Sequence, residues 1–149
     1  MSTHTQIIYQ IVYSTKQREY SLIKKNREQL FRYRDGILKN KNCKTFQING
    51  VDNHLHILMK LHPTVCLSNL IKEMKISTHN MIKEKNLFPS FKGWQDGYGA
   101  FTYANEALPN LIRYIRNQEV HHGLVSYEDE YIGLLDEHGI EYDPKYVFD

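Results

Sequence analysis

Two histidines separated by one residue, His54 and His56, are the first residues of this sequence that could do chemistry. They flank Leu55 and run directly into the apolar stretch Ile57-Leu58-Met59, which predicts a strand. Side chains alternate between the two faces of a strand, so both imidazoles would lie on one face, roughly 6.6–6.8 Å apart along it. Two imidazoles at this spacing can bind one metal ion. The alternative is a pair of surface or hydrogen-bonded histidines, and the spacing alone leaves both interpretations open.

A second chemically suggestive set lies on one predicted helix. Tyr114 and Gln118 are four residues apart and therefore stack on one helix face, and His121 continues the same stripe. A tyrosine phenolate is a competent nucleophile at phosphorus, although its ordinary pKa near 10 keeps it protonated at neutral pH. A divalent ion held by the two histidines and one further oxygen, which the Gln118 amide could supply, would polarise a phosphate for attack. The alternative is that Tyr114 is an amphipathic residue at the edge of an apolar helix face.

The elements that must position these residues follow the order β-α-β-β-α-β-α with a helical tail. Hydrophobic periodicity predicts strands over Thr5–Thr15, Asn42–Ile48, His54–Leu61 and Tyr98–Tyr103, with a tight turn at Asn49-Gly50. It predicts helices from a cap at Ser21 or Asn26 to about Asn40, over Leu67–Lys85, from Glu106 (capped by Asn105) to His121, and over Glu128–His138. This order predicts an α+β fold in which helices cover a ferredoxin-like antiparallel sheet.

The chain length and composition favour one globular domain. The 149 residues and 17.7 kDa are enough for one core, so we expect a single domain over residues 1–149, with residues 126–149 forming a tail packed on or near it. The sequence contains no stretch of roughly 20 apolar residues, so a membrane span is not expected. Cys43 and Cys66 do not form a CxxC motif, which favours reduced cysteines in a cytoplasmic protein.

Charge is distributed unevenly along the chain. Residues 1–92 contain 16 Lys or Arg and 6 Asp or Glu, whereas residues 93–149 contain 3 and 11. A basic amino-terminal part is what binding to a phosphate backbone requires. The alternative is that the lysines only solvate exposed helix faces.

Several of these residues together resemble a known family. The order and spacing of three sequence elements resemble those of the single-tyrosine HUH transposases. The elements are Asn53-His54-Leu55-His56, Trp94 followed by Gly97-Tyr98, and Tyr114-Ile115 followed by Asn117-Gln118 and His121-His122. The family is that of the insertion-sequence transposases of the IS200-like type, and the REP-associated tyrosine transposase branch is the most similar. Further resemblance around Tyr13-Ser14-Thr15-Lys16 and Tyr142-Asp143 extends the similarity over nearly the whole chain.

The resemblance implies a transposase that cuts and rejoins single-stranded DNA beside hairpins. It implies that Tyr114 is the nucleophile, that His54, His56 and Gln118 bind Mg²⁺ or Mn²⁺, and that His121 supports the site. Cleavage would leave a 5′-phosphotyrosine and a free 3′-hydroxyl, and rejoining would need no ATP. The resemblance also implies a homodimer whose two sheets join edge to edge.

If the chain binds a DNA hairpin, the basic amino-terminal part is where we expect it to bind. The expected DNA-binding residues are Lys16, Arg18, Lys24, Lys25, Lys72 and Lys75. Trp94 and Tyr98 could stack on unpaired bases. The alternative is that both are core aromatic residues beside a glycine-rich bend.

Two other protein classes remain as alternatives. A non-catalytic, single-stranded nucleic-acid-binding module could also be built on a ferredoxin-like sheet, but the strands lack the glycine- and aromatic-rich motif of RNA-recognition domains. A zinc-stabilised structural domain would need more closely spaced ligands than two histidines and two distant cysteines. Covalent attachment to a nicked oligonucleotide distinguishes the enzyme from both.

Overall fold

The computed structural model describes residues 1–148, which form one four-stranded antiparallel sheet with five helices. The strands are β1 (Ile8–Ser14), β2 (Lys44–Gly50), β3 (His54–Lys60) and β4 (Gly99–Tyr103). The helices are α1 (Lys24–Asn40), α2 (Leu67–Lys85), α3 (Leu108–Arg116), α4 (Gln118–His121) and α5 (Tyr127–Glu137). Single 3-10 turns precede α1 (Lys16–Arg18) and α3 (Asn105–Ala107). The predicted domain and its tail extend to Asp149, and this last residue lies outside the described residues.

The strand order β2-β3-β1-β4 confirms the predicted ferredoxin-like α+β fold. Each neighbouring pair is antiparallel, and each of the helices α1 and α2 connects two strands that have a third strand between them. In the register between β1 and β3, Ser14 pairs with His54 and Val12 pairs with His56. The two histidines therefore lie on a central strand, at the end of the sheet where β1 finishes.

Helices cover both faces of the sheet, and this explains why β3 is buried on both sides. On one face, α1 and α2 pack against Ile11, Leu55 and Ile57 in the main core. On the other face, α3 packs around Leu58 and Ile115, and α5 packs with its own tyrosines against β1 and β4. Since strand side chains alternate, His54 and His56 lie on the face covered by α3, α4 and α5. No helix within residues 1–148 has the length and hydropathy to cross a membrane.

The cap and turn predictions at the element ends are wrong. Ile23 precedes α1 and no side chain caps the helix, because the Asn26 amide instead donates to the Leu87 carbonyl. Strand β2 continues through Gly50, and the turn comes after it. Asn49 does not form the turn, because its side-chain amide donates to the carbonyls of Ile115 and Arg116 and so caps the end of α3.

The long helix predicted from Glu106 to His121 is divided in the structure. Asn105 starts a 3-10 turn and does not cap a helix; α3 begins at Leu108, with Pro109 in its first turn, where the missing N–H costs nothing. Asn117 has φ −96° and ψ 22°, which ends α3 at Arg116 and separates it from the short α4. The carboxyl end of α3 is therefore fixed by Asn49 and is followed by a bend.

Candidate metal and tyrosine site

The two histidines of β3 form the base of the site. His54 and His56 are both fully buried, and their ring centroids are 5.3 Å apart. The outer nitrogen of each ring has a fixed partner: Asn53 Oδ1 lies 2.8 Å from His54 Nδ1, and Gln10 Nε2 lies 3.0 Å from His56 Nδ1. Partners of this kind orient an imidazole so that its other nitrogen points into the site.

Two residues that the sequence analysis did not assign complete the cluster. His122 follows α4 and places its Nε2 2.9 Å from His54 Nε2. Glu130, on α5, places Oε1 2.9 Å from His56 Nε2, 3.0 Å from His122 Nε2 and 3.4 Å from His54 Nε2. The ligand atoms of these four residues all lie within 4.8 Å of one another, so the group could hold a metal ion.

Tyr114 extends from α3 to the edge of this cluster. Its ring lies 6.0 Å from the His56 ring, and its hydroxyl donates a hydrogen bond to Glu130 Oε2. His121 Nε2 lies 3.5 Å from the same hydroxyl and 3.3 Å from Glu130 Oε2. The structure thus brings the expected nucleophile, the two histidines and His121 together within one chain.

Gln118 is placed beside the cluster, but its amide nitrogen faces it. Gln118 is fully buried, and Nε2 donates to Glu130 Oε2 at 3.3 Å. Its Oε1 has no hydrogen-bond partner within residues 1–148. The acidic carboxyl-terminal segment supplies, through Glu130, the carboxylate that occupies this side of the site.

Burial and hydrogen bonding set the charges of the cluster. Burial, together with the neighbouring His56 and His122, lowers the pKa of His54 to about 4, so this ring is neutral at pH 7. Burial alone would raise the pKa of Glu130, but hydrogen bonds from His122, His54 and His56 outweigh it and hold that pKa well below its ordinary value. Glu130 is therefore a buried anion. Burial and the charge of Glu130 raise the pKa of the Tyr114 hydroxyl, which stays protonated in this arrangement.

A cavity of about 400 Å³ lies beside the cluster, and His122 is the cluster residue that lines it. Tyr127 and the α1 residues Lys24 and Arg27 also line this cavity. Both basic residues pair with Glu119, at 3.1 Å and 3.3 Å, and Arg27 also pairs with Asp52. These pairs connect α4 to α1 next to the site.

Most of the expected DNA-binding residues line two adjoining grooves on the α2 side of the molecule. One groove, of about 460 Å³, contains Lys72, Lys75 and Tyr98. The other, of about 610 Å³, contains Lys16 and Arg18, and adds Lys92, which the sequence analysis missed. His79, Trp94, Gln95 and Asp96 line both grooves, so the two are continuous.

Other expected DNA-binding residues are occupied or lie elsewhere. Trp94 is largely buried in the main core and its indole nitrogen donates to Thr78 Oγ1, which favours the core alternative for this residue. Arg18 pairs with Glu128 at 3.3 Å and donates to the Phe148 carbonyl. Lys24 lies at the cavity beside Glu119, and Lys25 is exposed on α1 outside both grooves.

Comparisons with known proteins agree on one family. The family profile described as "Transposase IS200 like" matches residues 3–118. The structure is similar to that of a "putative transposase" from Deinococcus radiodurans R1, with a TM-score of 0.61 and 18% identity over 79% of this chain and 95% of that one. It is also similar to a REP-associated tyrosine transposase bound to a REP hairpin, with a TM-score of 0.62 and 17% identity over 90% of this chain and 88% of that one. No curated protein matches the sequence.

Proposed function

The chain belongs to the IS200-like transposase family, and from this premise we propose that it cuts and rejoins single-stranded DNA through a covalent bond to Tyr114. Membership of the family makes it a transposase, an enzyme that cuts DNA. The proposal also takes residues 1–149 as one transposase domain, with residues 126–149 as its carboxyl-terminal tail. The observation that carries it is the Tyr114 hydroxyl at the edge of the buried histidine cluster of the same chain.

In the proposed reaction, the Tyr114 oxygen attacks the scissile phosphorus. The new bond joins phosphorus to the tyrosine oxygen, and the bond between phosphorus and the 3′-oxygen breaks. The tyrosine loses its proton and the departing 3′-oxygen gains one, which leaves a 5′-phosphotyrosine and a free 3′-hydroxyl. Attack by another 3′-hydroxyl reverses these changes and rejoins the strands, because the phosphotyrosine retains the energy of the phosphodiester bond.

The chemistry of the donor set fits the divalent ion that this reaction requires. His54 and His56 would hold the ion from β3, in a pocket that excludes bulk water, and Mg²⁺ or Mn²⁺ is the proposed cofactor. When bound, the ion would supply positive charge to the phosphate and to the oxygen that leaves. The protein itself holds the Tyr114 hydroxyl in place through Glu130 and His121.

The proposed substrate is single-stranded DNA that carries a hairpin. The two continuous grooves provide basic side chains at Lys16, Lys72 and Lys92 and a half-exposed aromatic ring at Tyr98. The similar REP-associated transposase was solved with a REP hairpin bound, which supports the same class of partner here. A homodimer is proposed from the family resemblance.

Tyr114→Phe tests the mechanism, because it removes one oxygen and keeps the ring that packs beside His56. The labelled hairpin substrate, incubated with protein and Mn²⁺ and separated on a denaturing gel, should show a covalent adduct for the unaltered chain and none for the variant. The control is Tyr33→Phe, since Tyr33 is exposed on α1, the helix that covers the opposite face of the sheet. Hairpin affinity should be unchanged in both variants.

An adduct that persists in Tyr114→Phe, or that peptide mapping assigns to another tyrosine, would refute the proposed nucleophile. Hairpin binding without an adduct in the unaltered chain would favour the alternative function, a non-catalytic module that binds single-stranded nucleic acid.

A further inference from the structure

We infer that the ion is bound by His54, His56, His122 and Glu130, and that Gln118 is not a ligand. This inference rests on the proposed function and specifies its metal centre. Two of the four ligands, His122 and Glu130, lie beyond the residues 3–118 that match the family profile. The carboxyl-terminal helix α5 would therefore be part of the metal site.

The distances between the ligand atoms fit one small ion. In a tetrahedral site with bonds of roughly 2.0–2.1 Å, neighbouring ligand atoms are about 3.3 Å apart. The observed contacts of Glu130 Oε1 with three imidazole nitrogens are 2.9, 3.0 and 3.4 Å, and His54 Nε2 lies 2.9 Å from His122 Nε2. The remaining pairs of ligand atoms lie within 4.8 Å, so side-chain shifts of about 1 Å or less would bring all four ligand atoms to one ion.

The hydrogen bonds around the cluster suit a metal-binding tautomer of His54, and those of His56 do so once the Gln10 amide is reversed. Asn53 donates its amide N–H to the Arg18 carbonyl, so its oxygen faces His54 and accepts from Nδ1–H. With its Nδ1–H donated to Asn53, His54 can offer the Nε2 lone pair to an ion, which would replace the hydrogen bond between Nε2 and Glu130 Oε1. His56 Nδ1 faces Gln10, whose amide has both a donor and an acceptor end, and Tyr103 contacts the other end at 2.8 Å. With the amide reversed, Gln10 Oε1 accepts from Nδ1–H and frees the His56 Nε2 lone pair for the ion.

Glu130 excludes Gln118 from the ligand set. The carboxylate oxygen Oε2 accepts from the Gln118 amide nitrogen, so reversing that amide would place two oxygens against each other. Glu130 also connects the ion to the nucleophile, because Oε1 faces the three imidazoles while Oε2 accepts from the Tyr114 hydroxyl. Glu130 is thus a ligand and a positioning residue for Tyr114.

This ligand set has two measurable consequences. Three imidazoles and one carboxylate favour a first-row transition ion over Mg²⁺, whose preferred ligands are oxygens. The ion would also hold α5 to β3, since Glu130 belongs to the helix and two of the imidazoles belong to the strand. Metal binding should therefore raise the unfolding temperature of the full chain.

The test is Mn²⁺ affinity, measured by calorimetry on the full chain after EDTA treatment. His122→Ala and Glu130→Gln should each weaken Mn²⁺ binding at least tenfold. The controls are Asp129→Asn, next to a proposed ligand but exposed, and His4→Ala, an exposed histidine, and both should stay within twofold. Gln118→Ala should weaken Mn²⁺ binding less than Glu130→Gln does, because it removes only a hydrogen bond to the proposed ligand. Circular dichroism establishes that each variant is folded. X-ray absorption of the Mn²⁺-loaded unaltered chain should count three imidazoles, and this measurement needs no variant.

The inference would be overturned if Gln118→Ala lost Mn²⁺ affinity tenfold while Glu130→Gln bound Mn²⁺ unchanged. It would also be overturned if X-ray absorption counted two imidazoles on the bound ion. In that case loss of binding in His54→Ala would leave the proposed function intact. If His54→Ala also binds Mn²⁺ normally, the histidines of β3 hold no ion, and the metal requirement of the proposed function fails with the inference.

Discussion

Acid should destabilise the metal-free protein, because His54 is buried in its neutral form. The pKa of His54 is about 4 in the folded chain and 6.5 in the unfolded chain. Between these values the unfolded chain binds a proton that the folded chain does not, so the free energy of unfolding decreases as pH falls. The loss begins below pH 6.5 and is complete below pH 4. From pH 7 to pH 5 the contribution of His54 is about 2 kcal/mol, at 1.36 kcal/mol per unit of pKa difference.

The assay is urea unfolding in EDTA at pH 7 and pH 5, where carboxylates remain mostly ionised in the unfolded chain. His54→Gln keeps a polar side chain but removes the titration, so its loss of stability over this range should be about 2 kcal/mol smaller than that of the unaltered chain. His4→Gln is the control, because His4 is exposed, and it should leave the loss unchanged.

If the free energy of unfolding falls equally from pH 7 to pH 5 in His54→Gln and in the unaltered chain, the reasoning is refuted. It would mean that Glu130, which raises the pKa of His54, outweighs burial and keeps the ring protonated as an ion pair. Added Mn²⁺ should steepen the pH dependence, because protons then compete with the ion for the imidazoles.

Three further outcomes follow from the fold and from the basic grooves. Arg34 is fully buried, its guanidinium lies 5.3 Å from the centroid of the Tyr13 ring, and its three nitrogens have no hydrogen-bond partner within residues 1–148. Because a buried polar group without a hydrogen-bond partner costs free energy, Arg34→Met should leave the free energy of unfolding unchanged or raise it by about 1–3 kcal/mol, as measured by urea unfolding. Lys16→Ala and Lys72→Ala should each weaken hairpin binding and lower the slope of log affinity against log salt by about 1, whereas Lys39→Ala, outside both grooves, should do neither. Light scattering at micromolar concentration should return the mass of a dimer, and a monomer mass with and without DNA would contradict the proposed homodimer.

The fold could be predicted because its signals are local. The β-branched and aromatic residues of β1, the apolar stretch of β3 and the helical period of α2 set the type and order of the elements, and α2 runs over Leu67–Lys85 as predicted. Caps and breaks were less predictable, because they depend on partners far along the chain. Asn49 caps α3 across 66 residues, and no pattern around Asn49 or Ile115 indicates that contact.

The histidine pair and the tyrosine were recognisable for the same reason. The spacing of His54 and His56 places both on one face of any strand, and a four-residue spacing places Tyr114 near Gln118 on a helix. Sequence order also carried the family resemblance, which the match over residues 3–118 confirms.

Glu130 could be assigned only in the folded molecule. It lies in an acidic segment, 74 residues from His56 along the chain, and the two acidic residues before it, Glu128 and Asp129, are partly exposed and exposed. Packing of α5 against the sheet brings it into the cluster, and Gly99 permits that approach, since a Cβ there would lie 2.9 Å from the Tyr131 ring. The sequence determined the strand histidines, the tyrosine and the order of the elements through short-range periodicity. The tertiary structure decided which carboxylate faces them, because a buried charge is placed by the packing of a distant helix and not by its own neighbours.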